Sequence, residues 1–308
     1  DYQQFIDEKG LTELGRGGEG VVYFTRGHVV KVERPESAAG ALREVAHMLH
    51  MNRILTRGAM GERERADWPT LLWIYVLSDG SLSIGMRPFD LMESDIPGST
   101  LYERLYCGPR VLRTEVMEMI RRLCKSLLYA HRQGIVHHDL KPANIYLPAG
   151  SPQTPIVFDL GQALWQHPSW GRNWLRHEHN NSYWYNGTYR YMHHQRRLAH
   201  LSALAKSNQQ MATPEQTLAF AAYTPSYYDD VVSYARILRD IVKSPYMFLT
   251  GKDRIAFTKY YQRLMGLRRR SETPGVARMD SGIIKLLSKL RTPAVPPAEL
   301  PKATSMEQ

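Results

Sequence analysis

The chain has 308 residues, 43% hydrophobic and 23% charged, which is the balance of a soluble globular protein and excludes collagen-like, coiled-coil and wholly disordered classes. No apolar run approaches the roughly 20 residues of a membrane-spanning helix, and the longest candidate, Leu71 to Leu77, is strand-sized. Two cysteines, Cys107 and Cys124, are too few for a disulfide framework and point to a reducing compartment, the cytoplasm.

Gly15-Arg16-Gly17-Gly18-Glu19-Gly20 breaks the chain, and Val21 to Phe24 after it favours a strand. Arg26-Gly27-His28 predicts a tight turn and Val29 to Val32 a second strand, so 21–32 reads as a hairpin. From Ala41 onward, Leu42, Val45, Met48, Leu49 and Leu55 recur at helical spacing and predict an amphipathic helix. Leu71 to Leu77 and Ser81 to Met86, joined by Ser78-Asp79-Gly80, predict a second hairpin. Val116 to Arg132 predicts a helix with Ile120, Leu123, Leu127 and Leu128 on one face, ended by Gly134. Ile145 to Leu147 is a short strand, and 160–291 mixes irregular stretches with helical runs. Thr292 to Gln308 carries Pro293, Pro296, Pro297 and Pro301 and reads as an extended tail. The pattern is α+β, strand-rich at first and helical later.

The formal net charge is +10, and Arg254 to Arg291 holds ten Lys/Arg against Glu272 and Asp280. Such a stretch attracts an acidic protein, nucleic acid or anionic lipid, although a solvated helical face is the plainer reading.

Three patterns carry chemistry. Gly15-x-Gly17-x-x-Gly20-x-Val22 opens a strand rather than a helix, which excludes a dinucleotide fingerprint and leaves a phosphate-covering loop or a glycine-rich β-turn. Lys31 lies in an apolar strand, where its charge is costly unless paired, and Glu44 on the following helix is the candidate partner. An edge-strand lysine in solvent is the alternative. The strongest pattern is His137-His138-Asp139-Leu140-Lys141-Pro142-Ala143-Asn144-Ile145, followed by Ile156-Val157-Phe158-Asp159-Leu160-Gly161.

In this order and spacing the motifs resemble those of the protein kinase superfamily, reading H-x-D-L-K-P-x-N and then D-x-G. Asn186-Gly187-Thr188-Tyr189-Arg190-Tyr191-Met192 resembles the end of a kinase activation segment, and Asp229-Asp230-Val231-Val232-Ser233-Tyr234-Ala235 the start of the large central helix of the C-lobe. The resemblance implies an α+β bilobal fold in a single kinase domain, with an N-lobe over 11–96, a C-lobe over 97–291 and the Pro-rich tail over 292–308. It implies a Mg-ATP-dependent Ser/Thr protein kinase acting on protein hydroxyls. Asp139 would take or orient the acceptor proton, and Lys141 would neutralise the transferring phosphoryl group. Asn144 and Asp159 would hold Mg²⁺, or Mn²⁺ in its place. Lys31, held by Glu44, would bind the α- and β-phosphates of ATP. Gly15, Gly17, Gly20 and Val22 would cover the nucleotide, and Glu93, in Met92-Glu93-Ser94-Asp95-Ile96, would lie at the adenine hinge. Thr188 would contact Asp139, and Asp230 would bond back to the catalytic-loop backbone. Lys141-Pro142 and Gly187-Thr188 favour Ser/Thr over Tyr acceptors.

Several residues depart from the family pattern. His138 stands where the family usually has Arg, which argues against activation through a phosphate read at that position. His193-His194-Gln195 replaces Ala-Pro-Glu, so the usual ion pair of that Glu is absent or rebuilt. Arg196 to Tyr228 reads as an insertion, and the short Lys31-to-Glu44 spacing suggests a trimmed N-lobe. A zinc site from His177, His179 and His193 has irregular spacing and no cysteine support. Two other functions compete: a kinase-fold small-molecule phosphotransferase, and a pseudokinase or binding module that uses the basic C-terminal stretch.

Overall fold

The computed structural model describes residues 12–16, 20–25, 28–57, 68–87, 98–165, 187–223 and 226–266. Gly17, Glu93, His177, His179 and the tail fall outside the described residues, as does the basic stretch beyond 266.

The N-terminal part is a five-stranded antiparallel sheet in the order β1-β2-β3-β5-β4. Its strands are β1 (Thr12–Arg16), β2 (Gly20–Thr25), β3 (His28–Glu33), β4 (Leu71–Val76) and β5 (Leu82–Met86). Both predicted hairpins form, β2 with β3 and β4 with β5. Strand alternation decides what each face holds. Val30 and Val32 pack with Val21, Tyr23 and Trp73 on one face. Lys31 sits between Val22 and Ile84 in the ladder and shares the opposite face with Val29 and Glu33. The helix α1 (Ala38–Arg57) serves that same face, where Ala41, Val45, Met48 and Met51 join Leu82, Ile84 and Met86 in the core.

The predicted helix therefore exists, but its buried stripe is rotated. Leu42 and Leu49 are 55% and 52% exposed, while Glu44 and His47 are buried. The helix turns its charged partner for Lys31 inward, and this moves the two leucines to the flank.

The C-terminal part is mostly helical. The first elements are β6 (Ser99–Thr100), α2 (Leu101–Tyr106) and α3 (Arg113–Arg132). The short strands β7 (Ile135–Val136), β8 (Ile145–Leu147), β9 (Ile156–Val157) and β10 (Leu164–Trp165) then frame the candidate site. The helices α4 (His194–Ser207), α5 (Pro214–Ala222), α6 (Tyr227–Lys243) and α7 (Gly251–Met265) follow. The central pair is α3 and α6. Ile120, Leu123 and Leu127 of α3 and Val232, Ile237, Leu238 and Ile241 of α6 are all buried, each such side chain contributing about 2 kcal/mol. The Tyr234 hydroxyl of α6 donates to the Ile120 carbonyl at 3.2 Å. Asp229 and Asp230 in the first turn of α6 suit the positive end of the helix dipole. Arg113 clamps α7 with two 2.7 Å bonds to Asp253.

The stretch read as an insertion is the helix pair α4–α5. His193 opens α4, its ring nitrogen accepting the Arg196 N–H at 3.3 Å, and Thr213 opens α5 with a capping box. Of the basic stretch, Lys259 and Arg263 are exposed, but Arg254 is turned inward, donating to the Ser244 and Met247 carbonyls at 3.2 Å each and to the Val242 carbonyl. Among the described residues no helix is long and apolar enough to cross a membrane.

Candidate active site

Helix α3 ends as expected at Gly134, whose φ of 80° suits glycine, and the chain enters β7. It then bends sharply, because His138 has a φ of 67°, a left-handed conformation uncommon for a side-chain-bearing residue. Three donors converge on one carboxylate to hold this bend. Asp230 accepts the His137 N–H at 2.8 Å, the His138 N–H at 2.9 Å and His131 Nε2 at 2.8 Å. Burial would raise its pKa, but His131 and these donors keep it below the ordinary carboxylate value. The expected bond from Asp230 to the loop backbone is present.

The bend delivers Asp139, 7% exposed, to the centre of the site. Lys141 Nζ donates to its Oδ2 at 2.6 Å. Asn144 Nδ2 donates to its backbone carbonyl at 3.0 Å. Thr188 also reaches Asp139, but through its backbone, the Thr188 N–H donating to Oδ1 at 2.7 Å. The expected contact is made by the amide. Gly187 before it has a φ of 127°, and a Cβ there would fall 3.2 Å from Asp139 Oδ1.

Asp159 follows β9, and the ladder sets its place. The Phe158 N–H donates to the Asn144 carbonyl at 3.0 Å, and His137 Nε2 lies 3.0 Å from the Phe158 carbonyl. Phe158, the residue before Asp159, is thereby tied to Asn144, and Asp159 is near enough to Lys31 to favour its charge. Asp159 has a φ of 64°.

Lys31 is a residue of the central strand, not of a solvated edge. Its Nζ lies 2.7 Å from Glu44 Oε2 and 2.6 Å from Glu33 Oε1. Burial alone would lower the Lys31 pKa. Glu44, Asp159 and Glu33 outweigh it and hold the ammonium well above its usual value. Glu44 is pushed up by its own burial, with Lys31 opposing. Glu33 is a site residue not anticipated from the motifs. The signal was its alternation with Lys31, since residues two apart in a strand share a face.

At the glycine-rich segment, Gly20 sits where a Cβ would come within 2.3 Å of the Val32 carbonyl, so glycine is needed for the sheet itself. Val22 pairs with both Lys31 and Gly15, the latter at an irregularity in β1.

Behind the loop lies a buried polar layer. His138 Nε2 donates to the Tyr223 hydroxyl at 2.8 Å, and its Nδ1 receives Arg196 Nη2 at 3.2 Å. Its pKa is driven down to about 3 by burial, with the Arg196 cation adding to the effect, so the ring is neutral. Where the family has Ala-Pro-Glu, a different contact is made. His193 Nε2 lies 2.9 Å from Asp229 Oδ1, which commits the one candidate zinc ligand among the described residues. Further along, the Tyr191 hydroxyl and Arg190 bind Asp240 of α6 at 2.9 and 3.0 Å. Arg196, 1% exposed, was not anticipated.

The chain is 28% identical over 151 residues to a probable serine/threonine-protein kinase of Streptomyces coelicolor, covering 49% of this chain and 22% of that protein. It is 27% identical over 96 residues to the serine/threonine-protein kinase PknB of Mycobacterium leprae, covering 31% and 15% respectively. It is 22% identical over 151 residues to the mouse calcium/calmodulin-dependent protein kinase type IV, covering 49% and 29%. The matched region thus spans less than a third of each relative's length. No family model matches the chain. These similarities, together with the two-part α+β architecture, relate the chain to the protein kinase superfamily.

Proposed function

We propose that the chain transfers the γ-phosphoryl group of Mg-ATP to Ser or Thr hydroxyls of proteins. The observation that carries this reading is the Asp139 carboxylate. It is held between Lys141 and the Thr188 N–H, and Asn144 bonds to its backbone carbonyl. Asp139 orients the acceptor hydroxyl and receives its proton as that oxygen attacks the γ-phosphorus and the bond to the β-phosphate oxygen breaks, releasing ADP. Lys141 neutralises charge on the group in flight. Lys31, kept charged by Glu44 and Glu33, grips the α- and β-phosphates, and the Gly15, Gly17 and Gly20 segment covers them.

One carboxylate and one amide oxygen form a hard-donor set that suits Mg²⁺, and Mn²⁺ as a substitute. When bound, the metal supplies neutralisation of phosphate charge. A Ser/Thr acceptor is supported by Lys141-Pro142, by Gly187-Thr188 and by the names of the relatives.

The test is incubation of the purified chain with Mg²⁺, γ-labelled ATP and casein. Alkali-labile label on casein that vanishes when EDTA is added supports the reading. Nucleotide binding without any transferred label overturns it and favours a binding module.

A further inference from the structure

We infer that Arg196 is a positioning residue: from α4, its guanidinium fixes the His138–Asp139 peptide and seats the Gly187–Thr188 turn against Asp139. The inference rests on the phosphotransfer reading for its enzymatic meaning, though not for its geometry.

A buried arginine is costly unless its donors are used, and here both terminal nitrogens are directed to the catalytic loop. Arg196 Nη1 donates to the His138 carbonyl at 2.6 Å. That oxygen belongs to the peptide leading directly into Asp139. Nη2 faces His138 Nδ1 at 3.2 Å. The bend at His138 is unfavourable in itself, since φ is 67°. Asp230 accepts the N–H of His138 and Arg196 donates to its carbonyl, so the two peptides that flank the His138 Cα are each held. The planar fork suits the task, because it reaches a carbonyl and a ring nitrogen at once. An ammonium lacks this fixed plane and holds the two acceptors less rigidly.

The same guanidinium touches the second segment that meets Asp139. A Cβ on Gly187 would lie 2.7 Å from Arg196 Nη2 and 3.3 Å from the His138 carbonyl. Gly187 therefore lies close against Nη2, and the next residue, Thr188, donates its N–H to Asp139 Oδ1. Arg196 stands at the junction of both chain segments that position the carboxylate, 58 residues from His138 in sequence. His138 takes part as a neutral acceptor. With Nδ1 receiving Arg196, the ring proton is on Nε2 and points to Tyr223.

Full-length Arg196→Met and Arg196→Lys are compared with wild type in three measurements. These are turnover of γ-labelled ATP with casein, binding of a fluorescent ATP analogue, and amide hydrogen exchange across 137–144 and 187–192. In Arg196→Met, kcat falls about 10- to 100-fold, the scale of a misplacement of about 1 Å. Binding of the analogue stays within about twofold, and exchange rises at least about tenfold in both segments but not in β3 or β5. Arg196→Lys recovers part of kcat. If Arg196→Met fails to fold, Arg196→Lys carries the test, with a reduced kcat and faster exchange confined to the same two segments. A kcat within twofold of wild type, or unchanged exchange in both segments, overturns the inference. Absence of transfer by wild type overturns the kinase reading instead, and exchange alone then decides whether Arg196 holds the two segments.

Discussion

Replacing Asp230 by Asn isolates what holds the catalytic loop. In the native chain one buried carboxylate accepts three donors, the His137 N–H, the His138 N–H and the His131 ring, at 2.8–2.9 Å. The carboxamide keeps one acceptor oxygen and turns an NH₂ group toward donors. With that oxygen at the Oδ2 position, the His137 N–H and the His131 ring keep an acceptor that no longer carries charge, and the His138 N–H faces the NH₂ group; Asp230 is fully buried, so water cannot replace the lost bond. The expected loss is about 3–5 kcal/mol, the range seen when a buried charged partner is removed. At about 2 °C or slightly more per kcal/mol for a chain of this size, the thermal midpoint falls by about 6–12 °C. Thermal unfolding of the full chain without nucleotide, paired with urea unfolding, measures this. A fall of less than about 2 °C with an unchanged denaturant slope would refute the idea that this carboxylate anchors the loop.

Other expectations follow from named contacts. Gly20→Ala drives a Cβ to within 2.3 Å of the Val32 carbonyl, and overpacking of this kind costs about 1–3 kcal/mol, readable as a lowered urea midpoint. Asp253 has its pKa held down to about 2: burial would raise it, and Arg113 and Thr250 outweigh that. Its contribution to stability is full above about pH 4 and is lost as pH falls toward 2, so Arg113→Met flattens the acid limb of a stability-versus-pH curve. His138 stays neutral down to about pH 3 in the folded chain but takes up a proton near 6.5 when unfolded. Stability therefore rises with pH between those values, and His138→Gln reduces the slope measured from pH 5 to 6.5.

The sequence makes the site legible where several residues share one short segment. Asp139, Lys141 and Asn144 lie within six positions, and the structure brings all three together. The Lys31–Glu44 pair follows from the cost of an unpaired lysine in an apolar strand, and the contact forms. What escapes is long-range geometry. Arg196 lies in a polar helical run, and nothing local distinguishes it from exposed Lys or Arg until α4 packs beneath the loop. Glu33 is hidden for a different reason: it ends a strand, where an acid usually reads as the approach to a turn. The exposed Leu42 and Leu49 show the limit of periodicity, because the inward demand of Glu44 rotates the helix by part of a turn. Thr188 contacts Asp139 as expected but by its amide, a distinction that residue type does not encode.

The central claim is that Asp139 performs proton and acceptor handling in phosphoryl transfer while Lys31 and the metal donors hold the nucleotide. Asp139→Asn measured against wild type, for both transfer rate and nucleotide affinity, tests it most directly. The account predicts a rate lower by about 10²–10⁴-fold with nucleotide affinity within about threefold. A variant that transfers phosphate at the wild-type rate would contradict it.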